Sequence, residues 1–303
     1  MSSILTNPSA ITALQSLRST QHALATTQKE VSTGLKISSA TDNASTWSIA
    51  ETMKSDQGVL STIGDSMAVS SSLLNIAQTA VTNAISVLNN IKSAVAQAAQ
   101  PGADTAKIGT SLTGLSNQLK SIVASASFNG LNILDGSQAS FAFIASYTDG
   151  GGSTASALNT INLTATALIG GGGASPAVAA GAGILEVAQG TGATAATDLT
   201  NLSATDVAST AVITDSLTNA DKAISDLTKY AAQIGATQTT LTGQAAFVKT
   251  LNEALTNGVS SLVDADMNEA STRLQALQTQ QQLGVQSLSI ANQNSQIILK
   301  LFQ

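Results

Sequence analysis

An apolar side chain recurring at every seventh position most constrains how this chain can fold. Between residues 45 and 99 one such row is accompanied by a second, partly interrupted row on the same side of a helix. The pattern is typical of a long α-helix that packs against a partner at a coiled-coil angle. At 1.5 Å per residue this helix would be on the order of 80 Å long. Pro101-Gly102 should end it. The main row is Met53, Leu60, Met67, Leu74, Val81, Leu88 and Val95.

The same spacing returns in the last third of the chain and predicts a second long helix. There the pattern changes phase at Asp264-Ala265-Asp266, and the helix that follows carries two apolar stripes. Residues 10 to 35 show the heptad pattern again and predict an N-terminal helix. The row of the second long helix is Ile213, Ala220, Leu227, Ile234, Leu241, Val248, Leu255 and Leu262.

The middle of the chain has a different character. Apolar spacing between Ile108 and Ile122 predicts a shorter helix, and Asn129-Gly130 and Asp135-Gly136 are hairpin-type turn signals. From about residue 138 to 207 the chain is rich in Gly, Ser and Thr, with β-like runs at 141–147 and 177–188. Short strands and loops are expected in this stretch because glycine runs disfavour long helices.

The order of elements is mirrored about the middle, which predicts a mainly α fold of long antiparallel coiled-coil-like rods with a small β and Gly-rich insertion. The terminal helices should pair with each other, and so should the two rods. The predicted segments are terminal helices at 1–35 and 267–303, connectors at 36–45 and 263–266, rods at 46–137 and 208–262, and an insertion at 138–207.

The two stripes on the C-terminal helix indicate that one partner helix is not enough. A single partner leaves one stripe in water, although burying each Leu or Ile is worth roughly 1.5–3 kcal/mol. We therefore expect the second stripe to pack against other copies of this chain and to build a helical fibre. The ends should be disordered in the monomer, and Gly284 is the best candidate for tight packing between subunits. The predicted contact residues are Leu14, Leu17, Leu24, Val31, Leu274, Leu277, Leu283, Gly284, Leu288, Ile290, Ile297, Ile298 and Leu301.

Composition argues against catalysis, cofactors and nucleic-acid binding. Only 10% of residues are charged, the net charge is −6, and there is no cysteine. The single histidine, His22, has no carboxylate cluster beside it in sequence. Asp264, Asp266 and Glu269 lack the glycine and alternating oxygen donors of a calcium loop. A helix start with a variant of the capping box is the preferred interpretation of these three residues.

Two segments at opposite ends of the chain resemble the bacterial flagellins. The first includes STGLKISSATDNAS and is similar to the LSTGLRVNSAADNAA region of that family; the second runs from SLVDADMNEASTRL to the end. Between them, SFNGLNILDG resembles the FNG-x-N-LLDG turn of the family. The length and the SSILTN opening are most similar to the shorter alphaproteobacterial flagellins.

The resemblance implies a structural subunit of the extracellular flagellar filament, used for motility and secreted without a cleaved signal peptide. The terminal helices would form the inner tube and the rods the outer tube, and the insertion would point outward. The implied partners are further copies of the chain, the flagellar type III export apparatus, a secretion chaperone at the C-terminal region, and the filament cap and hook-junction proteins. Neither nucleic-acid binding nor membrane insertion is implied.

The sequence departs from the pattern that enteric-type flagellins present to animal receptors. Both arginines, the glutamate and the leucine of that pattern are replaced, by Asn90, Lys92, Ser93 and Ala94. The stretch Gln28 to Ala44 aligns with the peptide that plant receptors read and also differs from the strongly eliciting pattern. We therefore expect weak recognition by both kinds of receptor.

Two alternatives stay open at this point. A flagellin-like junction protein between hook and filament would share both ends of the chain. A pore-forming or interfacial effector is the alternative from another class, but its helices favour Lys, Arg and Trp flanks. Near the end of this chain only Lys300 is of that kind.

Overall fold

A computed structural model describes residues 7–148, 157–169, 183–186 and 198–301, without the side chains of 294–301. In this part the chain is mainly α-helical. The elements are α1 (Pro8–Thr33), α2 (Ala44–Ala98), α3 (Thr105–Ser125), β1 (Ser127–Phe128), β2 (Leu131–Asn132), β3 (Ser140–Thr148), β4 (Ala157–Thr164), a 3₁₀ turn (Ala204–Val207), α4 (Thr210–Val263) and α5 (Met267–Leu301). They form two compact units: a terminal unit of residues 1–58 and 252–303, and a central unit of residues 59–251.

The N-terminal helix has clear start and stop signals. Asn7 caps α1, because its Oδ1 accepts a hydrogen bond from the backbone N–H of Ala10 at 3.1 Å, and Pro8 occupies the first turn. The helix ends at Gly34, which has a left-handed φ of 72° and donates its N–H to the Glu30 carbonyl. Only glycine adopts this conformation without a steric cost, so the end of α1 is fixed by sequence.

In the terminal unit α1 packs antiparallel against α5, as predicted. At one end of the pair the Asn7 Nδ2 donates to the Ala291 carbonyl at 3.0 Å. At the other end Leu35 forms an isolated antiparallel β-bridge with Asp264. Low residue numbers on α1 therefore lie beside high numbers on α5, which is the mirrored arrangement that the sequence predicted.

The predicted phase change is a complete break between α4 and α5. The Lys36 N–H donates to the Val263 carbonyl at 2.7 Å, and the Ala265 N–H donates to the Gly34 carbonyl at 2.9 Å. These bonds tie the two connecting segments together. The helix start at Asp266 is confirmed, because its Oδ1 accepts from the N–H groups of Asn268 (2.9 Å) and Glu269 (3.3 Å). The Glu269 carboxylate pairs with Arg273, so the second half of the capping box is not formed.

In the central unit the two rows of apolar residues at every seventh position face inward, which confirms the predicted heptad pattern. The seven-spaced residues from Leu60 to Val95 on α2 and from Ile213 to Val248 on α4 are all buried. Cross-contacts show that these helices run antiparallel: Gln238 donates to Asn75 at 2.6 Å, and Lys92 pairs with Asp221. On α3 the inward positions are Leu112 and Leu119, both fully buried.

Only one of the two turn signals forms a hairpin. Asn129 and Gly130 have positive φ values of 52° and 79° and join β1 to β2 as a tight turn. The prediction for Asp135-Gly136 is wrong, because β2 pairs with β1 whereas β3 pairs with β4. Strand β3 confirms the predicted run at 141–147. Of the run at 177–188 only Gly183–Glu186 is described, and it forms a turn rather than a strand.

A small irregular core lies beside α4 and was not predicted. Backbone bonds connect successive segments, with Leu168 donating to Leu134 (2.9 Å), Leu185 to Leu168 (2.9 Å) and Leu199 to Leu185 (3.0 Å). All four leucine side chains are fully buried. Tyr230 of α4 is also buried and donates its hydroxyl to the Ile133 carbonyl at 3.3 Å. These contacts fix the base of the insertion.

An eight-residue repeat spans the start of both long helices. Residues 39–46 read SATDNAST and residues 203–210 read SATDVAST. In each copy the aspartate Oδ2 accepts from the N–H and the hydroxyl of the serine three residues earlier: Asp42 from Ser39 at 3.0 and 3.1 Å, and Asp206 from Ser203 at 2.8 and 3.0 Å. The same tetrapeptide thus folds into the same turn twice.

The single difference between the repeats explains why the two helices start differently. Asn43 caps α2, since its Oδ1 accepts from the Thr46 N–H at 3.1 Å, and the helix begins at the next residue. Val207 has no side-chain acceptor and is buried instead. Helix α4 therefore begins later, at Thr210.

Candidate self-assembly surface

No cluster of chemically reactive residues stands out in the described part of the chain. Its His, Asp and Glu side chains form no group of three that could hold a metal ion. His22 is exposed on α1. The candidate binding surface consists instead of the apolar faces of α1 and α5.

On α1 the predicted contact residues divide into two groups. Leu17, Leu24 and Val31 are half-buried along the pair with α5, whereas Leu14 remains 37% exposed. Two threonines, Thr20 and Thr27, are more deeply buried than any of these four apolar residues. Sequence reasoning missed both threonines because it followed the apolar residues alone.

On α5 the two predicted stripes lie in different environments. Leu274, Leu277 and Leu288 are half-buried along the pair with α1. Leu283 and Ile290 from the second stripe are 59% and 60% exposed. One stripe is thus partly covered by α1, whereas Leu283 and Ile290 of the other stripe are exposed. Ile297, Ile298 and Leu301 also belong to the prediction, but their side chains lie outside the described residues.

Gly284 makes its close contact within the chain. A Cβ atom placed on this residue would lie 3.2 Å from Cδ1 of Leu17. The missing side chain thus lets α1 approach α5, which gives a reason within one subunit for glycine at this position. Its predicted packing against a neighbouring subunit stays a prediction.

Five of the six large apolar side chains that are exposed in the described part of α1 and α5 lie at one level, and the sixth, Met267, lies at the start of α5. Asn7 lies beside Ala291 and Leu17 beside Gly284, so residues 11–14 lie level with residues 285–290. Ile11 (59% exposed) and Val285 (54% exposed) belong to the same level, and the heptad rows gave no indication of them. We name this surface the terminal apolar band; it consists of Ile11, Leu14, Leu283, Val285 and Ile290.

A shallow groove of about 210 Å³ lies between the helices at the same level. Its lining side chains are small or uncharged, so covering the groove requires no desolvation of charge. The lining residues are Ala13, Ser16, Gln280, Leu283, Gly284 and Ser287.

Beyond the other end of the pair, one carboxylate connects α1 to the turn before α2. Asp42 accepts hydrogen bonds from the backbone and side chain of Ser38 and of Ser39, and it pairs with Lys29 at 3.1 Å. The backbone N–H of Ser38 and then the Lys29 ammonium hold the pKa of Asp42 well below its usual value of 3.8. All of these donors favour the ionised form.

Acid should weaken the terminal unit through this aspartate. The pKa of Asp42 is lower in the folded state, so its contribution to stability is complete above pH 3.8 and is lost as the pH falls below that value. We expect Asp42→Asn to be less stable than the parent at neutral pH. Thermal melts should show this difference shrinking once the pH falls below 3.8. A difference that stays constant across the acid range would contradict the assignment, and Asp65→Asn, at an exposed position on α2, is the control.

The receptor-region positions lie on α2 in the central unit. Asn90 and Ser93 are exposed, and Ala94 is half-buried. Lys92 is paired with Asp221 of α4, so its ammonium is already engaged within the chain. The weak receptor recognition expected from the sequence stays a prediction.

In the part of the chain that the structure describes, no helix is both long and apolar enough to span a membrane.

Comparison with known proteins places both ends of the chain in one family. Residues 4–139 match the bacterial flagellin N-terminal helical region, and residues 217–302 match the bacterial flagellin C-terminal helical region. Flagellin C of Rhizobium meliloti is 40% identical to this chain, and a flagellin of Brucella melitensis is 36% identical; in both cases the similarity covers all of both chains. Flagellin FljK of Caulobacter vibrioides is 33% identical over all of this chain and 99% of its own. This chain therefore belongs to the bacterial flagellins, with relatives among the alphaproteobacteria, and is a structural subunit of the flagellar filament rather than an enzyme.

Proposed function

We propose that the terminal apolar band is the surface through which this filament subunit packs into the inner tube of the filament. The observation that carries the proposal is the exposure of Leu283 and Ile290 on a helix whose other stripe is already covered by α1. Among the described residues of the terminal unit, no further layer covers these two side chains. Neighbouring copies in the filament would supply that layer.

The energetic gain from this contact is large enough to control assembly. Because Leu283 and Ile290 are 59% and 60% exposed, burying the rest of both side chains is worth about 2 kcal/mol at the lower end of the usual range. Since 1.4 kcal/mol corresponds to about tenfold in an equilibrium constant, the loss of both side chains should raise the critical concentration about 30-fold. The effect on the monomer should be small, because both side chains are exposed there.

The test is the double variant Leu283→Gln with Ile290→Gln. We expect sedimentation and electron microscopy to show few filaments at concentrations where the parent polymerises, with unchanged helical circular dichroism. The matched control is Gln282→Asn with Asn292→Gln, which alters exposed polar positions on the same helix. Removal of residues 290–303 is the stronger form of the experiment. Normal filaments from either the double variant or the truncated chain would refute the proposed role of α5.

The same surface explains why a secretion chaperone would bind the C-terminal region. Before assembly the band leaves several large apolar side chains in water, and such exposed patches favour association. We infer that a chaperone covers this region until the chain enters the flagellar type III export apparatus. The filament cap would then contact newly added subunits, and the hook-junction proteins would contact the first subunits at the base of the filament.

A further inference from the structure

The terminal apolar band and the groove together give the α1–α5 pair two different sides. On a helix, residues two positions apart point in directions about 200° apart. Ser16 lines the groove, so Leu14 points away from it, and Leu283 lines the groove, so Val285 points away from it. Leu14 and Val285 are both exposed. We name these two residues the lateral ridge.

The lateral ridge and the groove lie at the same level along the pair. Leu17 contacts Gly284, which places Leu14 and Val285 within about one helical turn of that contact. The groove is centred on the same contact, because Gly284 and Ser16 are among its lining residues. One side of the pair thus carries two apolar side chains that project outward, and the opposite side carries a recess at the same height.

The size and chemistry of the recess match those of the ridge. A dry cavity of about 150 Å³ holds a benzene molecule, and this groove measures about 210 Å³. The tips of one leucine and one valine fit in that volume. Its walls are formed largely by Ala13, Ser16, Gly284 and Ser287, whose small side chains leave the recess open.

We propose that the lateral ridge of one subunit inserts into the groove of the next subunit. The proposal rests on the assembly role argued above and specifies which residues meet. The contact is heterologous, because two different surfaces of the same chain are used. In each copy the lateral ridge and the groove lie at the same level along the α1–α5 pair. The contact therefore repeats from one subunit to its lateral neighbour and generates a ring or a shallow helix around an axis. The occupant of the groove is a second copy of this chain, since a filament subunit is surrounded by its own copies.

Disulfide trapping tests this pairing directly, because the chain has no cysteine of its own. Val285→Cys with Ser287→Cys places one thiol on the ridge and one in the groove of every subunit. Both lie on one helix and point to opposite sides, so they cannot bridge within a chain. Between chains a bridge requires Cα atoms about 4.4–6.8 Å apart. We expect oxidised filaments to give a ladder of covalent multimers on a non-reducing gel.

The matched control moves the first thiol to Ser271, an exposed position on the same helix that lies about 20 Å from the ridge along the helix axis. Ser271→Cys with Ser287→Cys should polymerise and remain monomeric on the gel. The proposal is overturned if filaments of the ridge pair give no ladder, or if the control gives an equal one. Failure of the parent chain to polymerise would contradict the assembly role instead, so the two failures are distinguishable.

Filling the groove provides a second measurement. Ser287→Leu adds an apolar side chain inside the recess, and Ser271→Leu makes the same change at an exposed position nearer the start of α5. We expect the first to raise the critical concentration at least about tenfold and the second to leave it near the parent value. Equal critical concentrations for the two leucine variants would exclude the groove as a contact.

Discussion

Replacing Gly109 by alanine should lower the free energy of unfolding of the central unit by about 2–4 kcal/mol, although alanine favours helix by about 1 kcal/mol. A Cβ on this residue would lie 2.5 Å from Cα and 2.6 Å from the backbone nitrogen of Ala204. Backbone atoms cannot move aside as a side chain can, so the segment around Ala204 must shift away from α3. Overpacking of this kind costs about 1–3 kcal/mol by itself.

Displacing the segment around Ala204 would also weaken the hydrogen bonds that hold it against α3. Thr113 donates its hydroxyl to the Leu202 carbonyl at 3.0 Å, and Ser116 donates to the Leu199 carbonyl at 3.0 Å. Each such bond contributes about 1 kcal/mol. Leu202 and Leu199 are fully buried, so their packing is at risk as well.

The control for this experiment lies on the same helix. A Cβ on Gly114 meets no atom within 4 Å, so Gly114→Ala should stabilise the helix by about 0.5–1 kcal/mol. Urea unfolding followed by circular dichroism measures both variants. If the free energy of unfolding changed by a similar amount and in the same direction in both variants, the contact with Ala204 would not be what excludes a side chain at position 109.

Tyr230→Ala, which removes most of the side chain, should lower the free energy of unfolding still more, by about 3–5 kcal/mol. This tyrosine is among the largest fully buried side chains and packs beside the irregular core at the base of the insertion. Tyr230→Phe keeps the ring and removes only the hydroxyl, with its hydrogen bonds to the Ile133 carbonyl and with the Thr166 backbone, so it should cost about 1 kcal/mol at neutral pH. Denaturant unfolding should therefore separate packing from hydrogen bonding. Equal losses for the two variants would show that the ring contributes little.

Alkaline pH should reverse the order of Tyr230 and its phenylalanine variant. Burial raises the pKa of Tyr230 to about 12, from a usual value of 10, against a smaller opposing effect of a hydrogen bond with the Thr166 backbone. The stabilisation by neutral Tyr230 is complete below pH 10 and is lost as the pH rises to about 12. This loss amounts to about 3 kcal/mol. Tyr230→Phe lacks this titration, so above the midpoint of that range it should be the more stable protein. Parallel curves over the whole range would contradict the assignment.

The helices could be predicted from sequence because their signals are local. The seven-residue rows from Leu60 to Val95 and from Ile213 to Val248 are buried as expected, since a heptad pattern specifies which side of a helix faces a partner. Pro101 and Gly34 mark real helix ends for conformational reasons that do not depend on the rest of the chain.

The SATDxAST repeat is present in the sequence, but the apolar spacing that predicted the helices does not reveal it. Within the repeat, Asn43 indicates a helix start, whereas Val207 does not. That the second copy lies against Gly109 of α3 does not follow from the repeat, because the two are far apart in sequence.

By itself the sequence determined the helix order, the heptad faces, the turn at Asn129-Gly130 and the family to which this chain belongs. Each of these depends on the residues within a few turns or on whole-length similarity. Only the tertiary structure decided that Gly284 contacts Leu17 of its own chain, that four leucines at the base of the insertion pack together, and that Leu14 and Val285 share one side of the α1–α5 pair. Those relations depend on the axial register of segments that are distant in sequence, and a periodic pattern specifies a face without specifying its register.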